Sequence, residues 1–332
     1  MSIQCYAALG AGQTLQPHVY EPDALGPFDV EVAITHCGIC HSDVHLIDND
    51  WQISAYPLIP GHEIIGTIRA LGAQVTKFTA GRRVGVGWQC GSCLECEWCV
   101  RGKETCCAKQ RATCVGRPGG FAEAIRVDSR FVFDVPEGLP SRDAAPLLCG
   151  GVTVYTPLRS VAPWSRVGVI GIGGLGHFAL QFARAMGCEV TAFSTVRDKA
   201  EEARQLGAHH FVVSGDAGQM KRAVGSLDFL LSTVTAKLNW GEWFSLLRPE
   251  GTLCIVGASP GTIDIPTMAM VIGQKSVRGS VIGNRSTIEE MLRFAALHKI
   301  TARTEAFPMT DVNAALDRVR KSQARYRVVL EN

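Results

Sequence analysis

The stretch Arg166-Val-Gly-Val-Ile-Gly-Ile-Gly-Gly-Leu-Gly176 sets the architecture of the segment around it in this chain of 332 residues. Residues 166–170 have the pattern of a short buried strand, and the glycines that follow indicate a tight turn. After the turn, apolar residues recur at spacings of three and four, the period of a helix with one buried face. They are Leu175, Phe178, Ala179, Phe182, Ala183 and Met186. The stretch therefore predicts a strand, a turn and a helix.

The alternation of strands and helices continues along the chain. A charged helix is predicted to begin near Asp198, after the second strand. Further apolar runs predict strands over Glu189–Phe193, Phe211–Val213, Leu227–Leu231 and Thr252–Val256. Strands that alternate with helices in this way are typical of βαβ units, which form a parallel sheet.

The segments on either side have a different pattern. Up to residue 148, short β-branched runs such as Asp29–Thr35 and Ile64–Ile68 are broken by Gly and Pro, which predicts an irregular β-rich domain. The tail returns to mixed structure, with a helix over Glu289–Leu297 and a strand over Tyr326–Leu330. We expect this tail to fold back onto the first domain. The expected domains are therefore 1–148 with 282–332, and 149–281 as an insertion.

The glycine turn has the composition of a dinucleotide-binding turn. Gly171 permits the sharp turn, Gly173 lets the backbone approach a pyrophosphate, and Gly176 lets the helix pack closely on the strand. The start of the helix, with Gly174 and Leu175, supplies amide donors and the positive end of the helix dipole. A turn built only for packing uses the same residue types. The complete strand, turn and helix context favours dinucleotide binding.

The end of the second strand indicates which dinucleotide binds. Domains of this type that bind NAD usually carry Asp or Glu there, to hold the ribose diol. This chain has Ser194 and Thr195 instead, followed by Arg197 and Lys199. Hydroxyl groups and cations suit a 2′-phosphate, so we expect NADP(H). The alternative is that the two basic residues only form the solvated start of a helix.

Four cysteines in a short segment indicate a metal site. Cys93, Cys96, Cys99 and Cys107 are spaced three, three and eight residues apart, which allows a closed tetrahedral cage around one structural zinc. Cys90 and Cys106 flank this set, and either could replace a neighbour. Zinc ribbons of nucleic-acid-binding proteins have comparable ligand sets, but they also need a basic surface.

Composition restricts the class of partner. A net charge of +2 with 19% charged residues provides no polybasic face, so neither nucleic acid nor a membrane surface is an expected partner. The start of the sequence lacks the pattern of a secretory signal, and no long apolar run follows. With thirteen cysteines but no such signal, metal ligation is a better reading than disulfide bonding. We expect a soluble cytoplasmic protein.

The segment Gly61-His62-Glu63-x2-Gly66-x5-Gly72-x2-Val75 resembles the signature of zinc-containing medium-chain alcohol dehydrogenases. The resemblance covers nearly the whole chain, and within the family the strand ending in Ser194-Thr195 is similar to the branch of cinnamyl alcohol dehydrogenases and NADPH-dependent aldehyde reductases. It implies an α/β protein with an irregular β-rich, GroES-like catalytic domain and a doubly wound Rossmann domain. It also implies two zinc ions per chain. The catalytic zinc would be held by Cys40, His62 and Cys149, and the structural zinc by Cys93, Cys96, Cys99 and Cys107.

The resemblance also implies roles for residues around the catalytic zinc. Glu63 matches an acidic residue near the metal, and Asp43 matches the carboxylate that orients His62. Ser42 and His45 match a proton relay. The remaining matches are His41 beside the cofactor pyrophosphate, Thr153 beside the nicotinamide, and Trp51 and Trp88 lining the substrate cleft. The alternative for the two tryptophans is that they are core residues, since large aromatics are mostly buried.

Together these readings predict a zinc-dependent, NADP-preferring reductase that interconverts aldehydes and primary alcohols, and that forms a homodimer or homotetramer. Three alternatives stay open. One is an NAD-dependent alcohol dehydrogenase. Another is a quinone or enoyl reductase, which would not need the catalytic zinc ligands. The last is a non-catalytic NADPH-binding protein, which would not need Ser42 and His45.

Overall fold

The computed structural model describes residues 2–257 and 261–332. Its strands are β1 Ile3–Ala7, β2 Gln16–Tyr20, β3 Asp29–Ile39, β4 Glu63–Leu71, β5 Arg83–Val86, β6 Gln89–Gly91, β7 Arg111–Ala112, β8 Ala124–Asp128, β9 Val132–Asp134, β10 Arg166–Ile170, β11 Glu189–Ser194, β12 His210–Val213, β13 Leu227–Ser232, β14 Leu247–Ile255, β15 Ser276–Gly279, β16 Thr304–Pro308 and β17 Arg327–Glu331. Its α-helices are α1 His41–Asp48, α2 Glu97–Val100, α3 Ser141–Ala144, α4 Gly150–Leu158, α5 Gly176–Ala185, α6 Ala200–Gln205, α7 Ala217–Ala223, α8 Trp240–Ser245, α9 Thr267–Gly273, α10 Arg285–His298 and α11 Val312–Arg320.

The chain forms two compact units. The first combines the chain up to Val152 with Gly283–Asn332, and the second is Thr153–Ile282. The second unit thus interrupts the first, as expected for an insertion. The boundaries expected from the sequence, after residues 148 and 281, remain a prediction of where the functional domains divide.

The second unit is built on a six-stranded parallel sheet with the order β12-β11-β10-β13-β14-β15. The predicted α/β class and the parallel sheet are therefore confirmed. α5 follows β10 and buries Phe178, Ala179, Phe182 and Ala183, four of the six residues on the predicted apolar face. The chain reverses its direction of strand addition between β10 and β13, where the carboxyl ends of the strands leave a crevice for ligands.

The first unit is built on a mixed sheet around β3. The strand order is β16-β17-β3-β4-β5-β9, and β8 pairs with the first half of β3. β17 pairs antiparallel with the second half of β3, so the tail completes the sheet that the beginning of the chain started. Fully buried Ile, Val, Leu and Phe side chains from both parts form one core.

Three elements differ from expectation. The charged helix predicted from Asp198 begins as a 3₁₀ turn over Arg197–Lys199, and α6 itself starts at Ala200. α9 and β15 follow no pattern recognised in the sequence. In the described part of the chain, every helix is too short or too polar to cross a lipid bilayer.

Candidate active site and metal centres

Three structural elements bring Cys40, His62 and Cys149 together. Cys40 directly follows β3 and caps α1, and His62 directly precedes β4. Because Gly38 of β3 pairs with Glu63 of β4, the ends of these antiparallel strands place Cys40 beside His62. Cys149 joins them from the turn that precedes α4.

The ligand atoms of this cluster are close enough to share one metal ion. The Sγ atoms of Cys40 and Cys149 lie 3.9 Å apart, and all ligand atoms, with a carboxylate oxygen of Glu63, lie within 4.8 Å of one another. His62 Nε2 is buried without a hydrogen-bond partner among the described residues, although buried polar atoms normally have one. A cation would satisfy this nitrogen, and the donor set of two thiols and one imidazole is typical of zinc.

Asp43 fixes the orientation of His62. Its Oδ1 accepts hydrogen bonds from His62 Nδ1 at 2.9 Å and from the amide of Gly61 at 3.0 Å. Its Oδ2 accepts the amide of Cys40 at 2.9 Å. The carboxylate is completely buried, so it holds two ligand-bearing segments in one geometry. A hydrogen bond at Nδ1 also leaves Nε2 as the metal-binding nitrogen.

The electrostatics of the cluster act differently on its ligands. The hydrogen bond from the Cys149 thiol holds the pKa of Cys40 well below its ordinary value, against the opposing effect of burial. Burial alone would lower the pKa of His62, but Asp43, Cys149 and Cys114 together hold that pKa well above its ordinary value, so a metal must displace a proton from this ring. The cluster therefore favours a thiolate at Cys40, which is the form that binds metal.

Arg327 is a component of the site that the sequence did not suggest. Its guanidinium forms an ion pair with Glu63, and both side chains are buried. Burial raises the pKa of Glu63 to about 7, although Arg327 acts in the opposite direction. The pair joins residues 264 positions apart. No local motif could have identified it, because only the pairing of β17 with β3 makes them neighbours.

The expected relay residues lie on the first turns of α1. The Ser42 hydroxyl is 3.6 Å from Cys40 Sγ. His45 Nδ1 is 2.7 Å from Oδ2 of Asp50, a residue that sequence reasoning missed. The exposed fraction of the side chain is 27% for His45 and 53% for Asp50, so this pair ends at solvent. The only sign of Asp50 in the sequence was its position, five residues after His45.

The two tryptophans predicted to line the substrate cleft lie beside the cluster. Trp88 contacts His62 edge-on, with ring centroids 4.9 Å apart. Trp51 lies 5.2 Å from His45 and 6.2 Å from Trp88, again between centroids. Both indoles are partly buried and also pack on the core of the first unit. Their contacts agree with a cleft wall, and their role in substrate binding remains a prediction.

The second cysteine cluster is a cage of four thiols. Cys93 Sγ lies 3.8 Å from Cys99 Sγ and 3.5 Å from Cys107 Sγ, and Cys96 completes a group within 4.8 Å. Amide donors from residues 95 and 96 lower the pKa of Cys93 to about 6.

Neither flanking cysteine belongs to the four-thiol cage. Cys90 is buried, where its thiol donates to the carbonyl of Arg111 at 3.4 Å. Cys106 is exposed. The fourth thiol within reach of the other three is therefore that of Cys107, and its role as a zinc ligand remains a prediction.

The glycine turn has the geometry of a phosphate cradle. Gly171 has a φ of +87°, a conformation that favours glycine. A Cβ on Gly176 would lie 1.9 Å from the carbonyl oxygen of Gly171, so only glycine allows this approach of α5 to β10. A Cβ on Gly173, in contrast, would point into open space. The turn, with Gly174 and Leu175, therefore has room for a ligand phosphate against its backbone.

The residues expected to select the cofactor follow β11. Ser194 is buried, and its Oγ accepts the amide of Val196 at 3.1 Å. Lys199 Nζ donates to the carbonyl oxygen of Ile172 in the glycine turn at 2.7 Å, so the two segments are tied together.

The other residues expected to contact the cofactor differ in exposure and position. Thr195 and Arg197 are exposed, and the guanidinium of Arg197 lies 4.0 Å from Asp216. Thr153 is buried in α4, and His41 is the first residue of α1.

Comparison with known proteins gives consistent matches. A family model described as "Alcohol dehydrogenase GroES-like domain" matches residues 26–137, and one described as "Zinc-binding dehydrogenase" matches residues 174–296. The aldehyde reductase AdhA of Synechocystis is 43% identical, over 99% of both chains.

Solved structures show the same relationship. A cinnamyl alcohol dehydrogenase of Sorghum bicolor has a TM-score of 0.96 at 40% identity, covering 100% of this chain and 98% of its own. The cinnamyl alcohol dehydrogenase of Helicobacter pylori, solved in complex with NADP(H), has a TM-score of 0.92 at 32% identity, with the same coverage.

Proposed function

The chain belongs to the zinc-binding alcohol dehydrogenase family, and on that premise we propose that it uses NADP(H) to interconvert aldehydes and primary alcohols. The observation that carries the proposal is the ligand set of Cys40, His62 and Cys149. A site with three protein ligands is typical of catalytic zinc, whereas a cage of four cysteines is typical of structural zinc. The names of the aldehyde reductase and cinnamyl alcohol dehydrogenase relatives support the substrate class.

Zinc, when bound by these three residues, supplies a Lewis acid for the oxygen of the substrate. The protein contributes the orientation of the ligands. Asp43 holds the ring of His62, and such partners of metal ligands are typically needed for full affinity or activity. Arg327 compensates the buried charge of Glu63, which would otherwise be costly beside the cluster.

Ser42, His45 and Asp50 form the proposed route for the proton. The Ser42 hydroxyl is next to the ligand cluster, and His45 with Asp50 is open to solvent. Ser42 would exchange a proton with the reacting oxygen, and His45 would pass it to water. Asp50 holds the imidazole through Nδ1 and would stabilise its protonated form.

The proposed preference for NADPH rests on the residues that follow β11. Ser194 and Thr195 stand where an NAD-binding domain usually has an acid, and Arg197 and Lys199 add positive charge beside them. The relative solved with NADP(H) supports the same assignment. The pyrophosphate would bind to the glycine turn, where Gly173 leaves space.

We further propose a cytoplasmic homodimer. All thirteen cysteines are free thiols, which supports a reducing compartment. β15 is the edge strand of its sheet, and exposed apolar side chains lie close to it in sequence: Met268, Val271, Ile272 and Val281. A second copy would cover these side chains and pair the open edge. Ile272→Glu should then give a monomer in sedimentation velocity, and an unchanged mass would count against this interface.

Initial-rate kinetics tests the function. The zinc-loaded enzyme should reduce straight-chain and aryl aldehydes with NADPH, and kcat/KM should be about 10- to 100-fold higher with NADPH than with NADH. Ser194→Asp should reverse that ratio by repelling the 2′-phosphate, and Ser160→Asp, at an exposed position of the same unit, serves as the control. Equal efficiency with both cofactors in the unmodified enzyme would contradict the preference. Absence of aldehyde reduction with either cofactor would contradict the function.

A further inference from the structure

Thr113 is a fully buried residue of the first unit with no part in the function proposed so far. Its hydroxyl donates to the backbone carbonyl of Gly87 at 2.7 Å, and its amide donates to that of Trp88, also at 2.7 Å. One residue thus binds two consecutive carbonyls of the segment that carries Trp88. A buried hydroxyl is costly unless it is hydrogen-bonded, so this bond fixes Thr113 and Gly87 relative to each other.

The strands around Thr113 give this segment little other support. β6 has three residues and β7 has two, and they pair antiparallel with a shift of register. Gln89 faces Ala112, so Trp88 and Thr113 are the next pair along the same ladder. Two strands as short as these are at best marginally stable by themselves. The side-chain bond of Thr113 therefore adds a connection that the ladder does not supply.

Gly87 also packs against the region of the metal ligands. A Cβ on Gly87 would lie 2.8 Å from the carbonyl oxygen of Leu148, the residue before Cys149. The backbone of Gly87 therefore lies directly against the segment that carries a predicted zinc ligand. Through its bond to the carbonyl of Gly87, Thr113 holds the start of the Trp88 segment in that position.

The indole of Trp88 depends on the placement of this backbone. It contacts His62 edge-on at 4.9 Å and Trp51 at 6.2 Å, between ring centroids. Side chains occupy a few staggered rotamers, so the position of the ring follows that of its own backbone. Protein interiors are close-packed, and small displacements within them are felt by their neighbours. A shift of Gly87 and Trp88 would therefore move the indole relative to both rings.

We propose that Thr113 is a positioning residue that, through the backbone of Gly87 and Trp88, places the indole where it packs against the aromatic group of an aryl aldehyde. The inference rests on the proposed function and on the prediction that Trp88 lines the substrate cleft. Aromatic pairs are favourable only over a narrow range of separations and orientations. A small aliphatic aldehyde has no ring to pack on the indole, so its reduction does not depend on this placement.

Steady-state kinetics with two matched aldehydes tests the inference. Propanal and 3-phenylpropanal share the same aliphatic aldehyde group and differ by one phenyl ring. Thr113→Val keeps nearly the same volume but removes the donor, whereas Thr113→Ser keeps the hydroxyl. Thr304→Val makes the same change elsewhere in the unit, at a hydroxyl that donates to Asp143 Oδ1 at 3.2 Å, and is the control. Trp88→Ala, alone and combined with Thr113→Val, completes a double-mutant cycle.

We expect Thr113→Val to raise KM for 3-phenylpropanal by about 2- to 10-fold, the range that aromatic packing contributes, with kcat and the kinetics of propanal unchanged. Thr113→Ser and Thr304→Val should keep the preference for the aryl substrate. Trp88→Ala should lower that preference, and adding Thr113→Val to it should lower the preference no further, because Thr113 acts through the indole.

Equal losses for both aldehydes in Thr113→Val, or additive effects in the double variant, would overturn the inference and leave Thr113 a structural role only. An unchanged aryl preference in Trp88→Ala would overturn it as well. If Thr113→Val does not fold, Thr113→Ala carries the same prediction, and loss of folding in both variants would also reduce Thr113 to a structural role. In all these cases, reduction of propanal by the unmodified enzyme leaves the proposed function intact. Failure of the unmodified enzyme to reduce either aldehyde would refute both.

Discussion

At the scale of single residues, the hydroxyl of Ser42 is the most direct test of the proton route. Ser42→Ala removes the group that lies beside the ligand thiol of Cys40. We expect kcat to fall by about 100-fold or more, because general acid–base assistance contributes that much. Ser54→Ala is the matched control, since its hydroxyl donates instead to the carbonyl of Leu46 at 2.6 Å. Wild-type turnover in Ser42→Ala, or an equal loss in both variants, would rule out this route.

The hardest residues to predict are those that hold a site residue in place without belonging to a motif themselves. Cys40, His62 and Cys149 belong to motifs, and the structure brings them together. Arg327 and Asp50 belong to no motif. Arg327 meets Glu63 only because two strands from opposite ends of the sequence pair, and Asp50 meets His45 only because α1 ends with a left-handed residue at Asn49.

At the scale of elements, local signals decide which parts were predictable. β10 has the predicted bounds, because its apolar run, turn and helix follow one another without interruption. α9 buries none of its residues and β15 is exposed along most of its length, so neither carries a hydrophobic period. Exposed elements at the edge of a sheet have little hydrophobic periodicity, because that periodicity arises when one face of a strand or helix is buried.

The four-cysteine lobe makes a stability prediction with an internal control. Cys96→Ser should destabilise the protein by roughly 3 kcal/mol or more, which is about 6 to 12 °C in Tm, because loss of a structural metal is among the most costly changes. Cys106→Ser changes an exposed neighbouring thiol outside the cage and should leave Tm nearly unchanged. Calorimetry of both variants measures these Tm values. Equal Tm values would show that the cage does not hold a structural metal.

β3 carries a buried carboxylate that should make stability depend on pH. Glu31 accepts hydrogen bonds from Arg69 of β4 and Arg126 of β8. Burial would raise the pKa of Glu31, but the two arginines outweigh it and hold the pKa below its ordinary value. A carboxyl with a lowered folded pKa stabilises the fold above its unfolded pKa, and that contribution is lost as pH falls through the folded pKa.

We therefore expect the free energy of unfolding to fall as pH drops below about 4.3, the ordinary value for glutamate. Glu31→Gln should be less stable at pH 7, by about 1.5–3 kcal/mol, and should lose less stability on acidification. Glu97→Gln, at an exposed position of α2, is the control. Urea titrations from pH 7 to pH 3 measure both effects. Parallel pH curves for the unmodified protein and Glu31→Gln would contradict the assignment.

At the scale of the whole molecule, two ligand clusters predict two zinc ions per chain. Metal analysis of the purified protein should find close to two, and Cys40→Ser and Cys96→Ser should each reduce the content to about one. Cys40→Ser should lose activity with nearly unchanged circular dichroism, because its cluster serves chemistry rather than folding. One zinc per fully active chain would eliminate one of the two sites.

The family was predictable from the sequence because its motifs are local and occur in order along the whole chain. The resemblance based on Gly61-His62-Glu63 is confirmed by the family models and by relatives of 43% identity.

The pairing of β17 with β3 also has a consequence for synthesis on the ribosome. The second half of β3, from His36 to Ile39, has its partner at Val328–Glu331. The nascent chain must therefore carry one open strand edge through translation of the entire inserted unit, which can fold first because all its strands are contiguous in sequence. Slow elongation through that insert would prolong the exposure of the edge, and open edges of this kind recruit other chains. Expression yield should consequently respond to codon usage and chaperone supply more than the final stability suggests.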